Sequence, residues 1–122
     1  MANFTELIKQ SDLVLVDFYA DWCGPCKMMS PVLTEVKKHF NDKLKVLKIN
    51  VDNNQSLSAK LQVRGVPTLM LYKSNQQVWR QSGVVDANQL IRSSAPAAHT
   101  ILPKALRTFR PVSRAHRVQR IQ

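Results

Sequence analysis

The chain has 122 residues, 44% of them hydrophobic and 21% charged, a globular rather than disordered composition. Its 18 basic and 8 acidic residues give a net charge of +10, and no apolar run approaches the ~20 residues of a membrane span. Two cysteines, three positions apart, cannot staple a fold, which excludes a disulfide scaffold.

Asn3-Phe-Thr-Glu6 has the form of a capping box and predicts a short helix through Gln10. With Glu6 and Lys9 in it, this start has no continuous apolar core, so no secretory signal is expected. Leu13 to Phe18 is apolar except for Asp17, and predicts a strand buried on both faces, as in a parallel sheet. From Gly24 to Phe40, Met29, Val32, Leu33, Val36 and Phe40 recur at spacings of three and four, the pattern of an amphipathic helix. Pro25 suits its first turn, whereas Pro31 should kink it.

Leu44 to Val51 predicts a second strand, and Ser56 to Gln62 a short helix. Thr68–Tyr72 and Val78–Ser82 predict two more strands, joined through Ser74-Asn75-Gln76, where Asn75 tolerates the backbone of a tight hairpin. Asp86 caps a last helix that carries Leu90 and Ile91. Strands alternating with helices predict an α/β layer structure with a parallel part and a terminal hairpin.

The charge divides the chain. Residues 1–91 hold 11 basic and 8 acidic residues, while residues 92–122 hold 7 basic and none acidic. Lysine dominates the first part and arginine the second. We expect a domain over 1–95 and a basic Arg/Pro-rich tail over 96–122, disordered or loosely attached. In that tail Arg107, Arg110, Arg114, Arg117 and Arg120 follow helical spacing, and such a face can lie on an acidic surface. Pro111 interrupts it, which argues against binding of this kind.

The chemistry centres on Trp22-Cys-Gly-Pro-Cys-Lys27, between the first strand and the long helix. A helix start presents unpaired N–H groups and the positive end of the macrodipole, so an anion is favoured there. A thiolate at Cys23 is such an anion, which lowers the expected pKa of its thiol. Cys26 lies one turn on, within disulfide reach, with Gly24 and Pro25 setting the turn between them. The pair suits thiol–disulfide exchange. It also fits half a zinc site or two inert core thiols. Zinc needs four ligands, and His39, His99 and His116 have no paired spacing, so no metal is expected.

With these residues placed, the chain resembles the thioredoxin family. Val14-Leu-Val-Asp-Phe-Tyr-Ala20, Trp22-Cys-Gly-Pro-Cys-Lys-Met28, Pro31, Lys48-Ile-Asn-Val-Asp52 and Arg64-Gly-Val-Pro-Thr68 fall in the family's order and spacing. The match covers about residues 3–91. The resemblance implies a thioredoxin fold and a monomer that reduces protein disulfides in the cytoplasm. It implies no bound cofactor beyond a redox-active Cys23–Cys26 disulfide, and a flavin-containing, NADPH-dependent reductase as the partner that restores the dithiol. Cys23 is implied as the attacking thiolate and Cys26 as the buried resolving thiol. Asp17 is implied beneath the site as proton acceptor for Cys26, with Lys48 beside it. Pro67 is implied as a cis-proline, baring the Val66 backbone for a substrate peptide. Trp22, Gly65, Val66 and Gly83 complete the implied substrate rim around Cys23, Gly24 and Pro25.

The sequence departs from the family in three places. The family's first strand is missing, so four strands are expected. Tyr19 stands where tryptophan is commonest. Ser93-Ser94 and Pro96 break the last helix's pattern, so it should end early and leave part of the sheet thinly covered. Two rival functions are a disulfide oxidant or isomerase and a non-catalytic docking subunit.

Overall fold

The computed structural model describes residues 3–98 and 118–121. Helix α1 (Phe4–Ile8) starts as the capping box requires, with the Glu6 N–H donating to the Asn3 side chain at 2.9 Å. Strand β1 (Leu13–Tyr19) is buried along its whole length. It lies at the centre of a five-stranded sheet of order β4-β3-β1-β2-β5. It runs parallel to β2 (Lys45–Asn50) and antiparallel to β3 (Thr68–Lys73). A central strand covered on both faces needs apolar side chains on both, hence the unbroken run around Asp17.

One face packs Leu13, Leu15, Val46, Leu69 and Leu71 against α2 (Gly24–Phe40) and α4 (Ala87–Ala98). The other packs Val14, Val16, Phe18, Leu47, Ile49 and Met70 against α1 and α3 (Gln55–Lys60). Strand β4 (Gln76–Ser82) forms a largely exposed edge. Its turn from β3 places Ser74 at φ 50° and Asn75 at φ 70°. Two positive φ angles mark the hairpin turn whose twist matches the strands, so Ser74 shares the strain expected at Asn75 alone. The buried stripe of α2 is Cys26, Met29, Leu33, Val36, Lys37 and Phe40. At its end the Lys37 ammonium donates to the Asn41 carbonyl at 3.0 Å and to that of Leu44.

Two expectations are corrected. The sheet has five strands, not four, because β5 (Gln119–Ile121) comes from the expected tail. It runs parallel to β2, pairing Leu47 with Gln119, Lys48 with Arg120 and Ile49 with Ile121. Without it, β2 would show a row of unpaired N–H and C=O groups. Val118 packs against the α2/α4 face and Ile121 against the other, the alternation a strand requires. Arg120 is therefore in extended backbone, not on a helix. Arg107, Arg110, Arg114 and Arg117, with the rest of the expected basic face, lie outside the described residues.

The second correction concerns α4. Asp86 caps it, accepting the Gln89 N–H at 2.7 Å, but the helix runs on through Pro96 to Ala98. A proline at this point removes one donor, that to the Arg92 carbonyl, and the alanines around it are the best helix formers. The expected boundary near 95 thus falls inside the helix. The helix covers the sheet at Ser94, which is fully buried, and its Oγ has no hydrogen-bond partner among the described residues. Ser94→Ala should relieve this unpaired hydroxyl and raise stability by about 1 kcal/mol. Thermal unfolding would register it as a rise of some ~4–8 °C.

Candidate active site

A short turn links β1 to α2, closed by the Cys23 N–H donating to the Ala20 carbonyl at 3.1 Å. Cys23 is the N-cap of α2, and its Sγ accepts the Cys26 N–H at 3.1 Å. One of the orphan donors of the helix start is thus aimed at this sulfur. Cys23 and Cys26 are joined by a disulfide, with their Cα atoms 5.3 Å apart. Gly24 and Pro25 form the exposed first turn, where a proline's missing N–H costs nothing. Exposure does not separate the two cysteines, at 4% for Cys23 and 3% for Cys26. Their difference lies in the helix start, which acts on the Cys23 sulfur.

The rim comes from three places in the chain. Trp22 is 70% exposed and held by its Nε1–H, which donates to Asp52 Oδ2 at 2.8 Å. The carbonyl oxygen of Val66 lies 3.7 Å from Cys23 Sγ, and the Val66–Pro67 bond is cis. Val66 packs against Tyr19, Ala20, Cys23 and Cys26. The Gly83 N–H donates to the Pro67 carbonyl at 2.8 Å, and Gly83 has φ +93°, a conformation costly for other residues. The Thr68 hydroxyl donates to the Gly65 carbonyl at 2.6 Å and meets the Ser82 hydroxyl at 3.1 Å. The 65–68 turn and the end of β4 are thereby one unit. Met28 and Val84, both large and exposed, stand two residues beyond Cys26 and one beyond Gly83. The sequence reading assigned neither of them, and it assigned no role to Asp52.

Asp17 lies on the sheet face that α2 covers, since Leu13 and Leu15, its alternates on β1, pack there. It is fully buried, and neither carboxyl oxygen has a hydrogen-bond partner among the described residues. Burial pushes its carboxyl up to about 7, partly offset by the charge of Lys48. Lys48 is its partner in register on β2 and donates to Ser30 Oγ on α2 at 2.9 Å. Its ammonium lies 5.1 Å from the centre of the Tyr19 ring, and burial lowers its own pKa. Sequence reasoning missed Ser30, a contact that only the packing of α2 on β2 creates. Among the described residues, no group of three or more His, Cys, Asp or Glu is gathered to hold a metal ion.

Comparison with known proteins places this geometry. A family model described as Thioredoxin matches residues 1–95. A thioredoxin of Haemophilus influenzae is 47% identical over 90 residues, covering 73% of this chain and 84% of that protein. A thioredoxin-like protein of Synechocystis is 46% identical over 92 residues, covering 75% of this chain and 88% of its own. Among solved structures, a mutant thioredoxin from Halobacterium salinarum superposes with a TM-score of 0.74 at 38% identity. That match covers 84% of this chain and 91% of the other. An oxidised thioredoxin from Plasmodium falciparum gives 0.67 at 36% identity, covering 75% and 89%.

Proposed function

Since the chain belongs to the thioredoxin family, we propose a division of labour among its site residues. The chain is a thiol–disulfide oxidoreductase that reduces protein disulfides. In the reduced form, the Cys23 thiolate attacks one sulfur of a substrate disulfide. A mixed disulfide forms, and the other substrate sulfur leaves as a thiolate. The Cys26 thiol then gives its proton to the Asp17 carboxylate, and the Cys26 thiolate attacks Cys23 Sγ. The Cys23–Cys26 disulfide closes and the second substrate sulfur departs. Two electrons have passed to the substrate, and the protein is left in the oxidised form described above.

The observation that carries this reading is the Cys26 N–H aimed at Cys23 Sγ at the N-cap of a 17-residue helix. That setting favours negative charge on Cys23. The Val66 carbonyl beside the sulfur supports a second role, pairing with the backbone of an extended substrate. Trp22, Met28 and Val84 offer apolar surface around it. Lys48 stabilises the Asp17 carboxylate, the form that accepts the proton.

The dithiol must be restored by a two-electron donor. By kinship, this is a flavin-containing reductase drawing on NADPH. Such a cycle belongs in a reducing compartment, which for this chain we take to be the cytoplasm. The chain works as a monomer in this reading.

The assignment of the two sulfurs is open to direct measurement. In the reduced protein near neutral pH, limiting iodoacetamide should label Cys23 well before Cys26, as read by peptide mapping. Both residues are almost equally buried, so a preference for Cys23 must come from its thiolate character. Equal labelling, or faster labelling of Cys26, would contradict the assigned roles.

A further inference from the structure

The strand that closes the sheet edge also reaches the redox site. Asp17, Lys48 and Arg120 form one register row across β1, β2 and β5. Tyr19 lies two residues along β1 from Asp17, on the same face. The Lys48 ammonium is 5.1 Å from its ring centre, and the Arg120 guanidinium is 5.9 Å from it. Two cations therefore share one aromatic ring, an arrangement favourable for each with the ring and unfavourable between them.

We propose that Arg120 is a positioning residue for the redox centre, its charge holding Lys48 inward, against Asp17. This inference rests on the reading of Asp17 as the proton acceptor. Lys48 has contacts on the inner side: the Ser30 hydroxyl and the charge of Asp17. Arg120 is exposed and its guanidinium lies near the same ring, so an outward swing of Lys48 would meet a like charge. Among the described residues, the charged groups facing Lys48 are Asp17 from β1 and Arg120 from β5, and α2 adds the neutral Ser30. Among the described residues, the charge that faces Asp17 is that of Lys48. Arg120 also disfavours the Lys48 ammonium, as a cation beside a cation must. It stands outside the 1–95 span of the family match, so the device belongs to this chain's own C-terminus.

The test uses the full-length oxidised protein and follows the Asp17 carboxyl by carbon-13 NMR across pH. Arg120→Gln should let Lys48 turn outward and leave Asp17 with less positive charge nearby. The Asp17 midpoint should then rise, by about half a unit. Arg120→Lys keeps the charge and should return the midpoint to the parent's value. An unchanged midpoint in Arg120→Gln overturns the proposal. So does an equal rise in both variants, which would mean that position 120 serves only to dock β5. The pH profile of disulfide reduction separates this from the underlying reading. If the NMR midpoint moves and the acid limb of turnover does not, Arg120 acts on Asp17 as proposed, but Asp17 is not the proton acceptor.

Discussion

Cys26→Ser is expected to abolish turnover while sparing the first attack, so that the protein accumulates covalently joined to its substrate. Cys23 keeps its place at the N-cap, and the Cys26 backbone N–H that meets its sulfur does not depend on the side chain. A serine hydroxyl, with its far higher pKa, cannot displace a sulfur from a disulfide near neutral pH. The product should run as a conjugate on a non-reducing gel and be released by dithiothreitol. A docking subunit would bind its partner with or without Cys26 and form no such conjugate. Recovery of free, unmodified protein after incubation with a disulfide substrate would remove Cys23 from the attacking role.

Asp17→Asn should alter both rate and stability, the latter with a definite sign. The folded carboxyl titrates near 7, against an ordinary value of 3.8. Between these pH values the folded chain holds a proton that the unfolded chain has released. The contribution of this site to stability is therefore full below about pH 3.8, and is lost as pH rises through about 7. The span corresponds to roughly 4 kcal/mol between about pH 4 and pH 8. Asparagine cannot titrate, and the cost of burying its amide is the same at every pH. The stability of the variant relative to the parent should therefore increase by that amount over the interval, as read from urea unfolding of the oxidised protein. A constant difference would mean that Asp17 is ionised throughout and solvated. Turnover should fall roughly a hundredfold at neutral pH, at the lower end of what a positioned proton acceptor supplies. The first attack, made by Cys23, should stay near its parental rate.

What could be read from the sequence was mostly local. The central strand, the capping box at Asn3, the cap at Asp86 and the helix start at Cys23 each rest on a few adjacent residues. The cis bond at Pro67 was implied by the Arg64–Thr68 motif, and the structure contains it. Contacts between distant segments were not legible. Asp52 accepts the Trp22 indole N–H across 30 positions, and Ser30 meets Lys48 across 18. Short polar residues of this kind have no periodic pattern to single them out. β5 was hidden for a similar reason: three residues cannot show a period of two, and the arginines around them happen to follow a helical spacing. Pro96 misled because a proline costs a helix one hydrogen bond and some strain, which the flanking alanines and the packing of Ala95 outweigh.

The central claim is that this chain reduces protein disulfides through Cys23 and Cys26. Reduction of insulin, with dithiothreitol as electron donor, tests it most directly. The full-length parent should greatly accelerate precipitation of the insulin B chain over dithiothreitol alone. Cys23→Ser should give no acceleration, since the remaining sulfur, Cys26, is buried one turn into the helix and lacks the N-cap place that favours an attacking thiolate. Acceleration by Cys23→Ser equal to that of the parent would contradict the account.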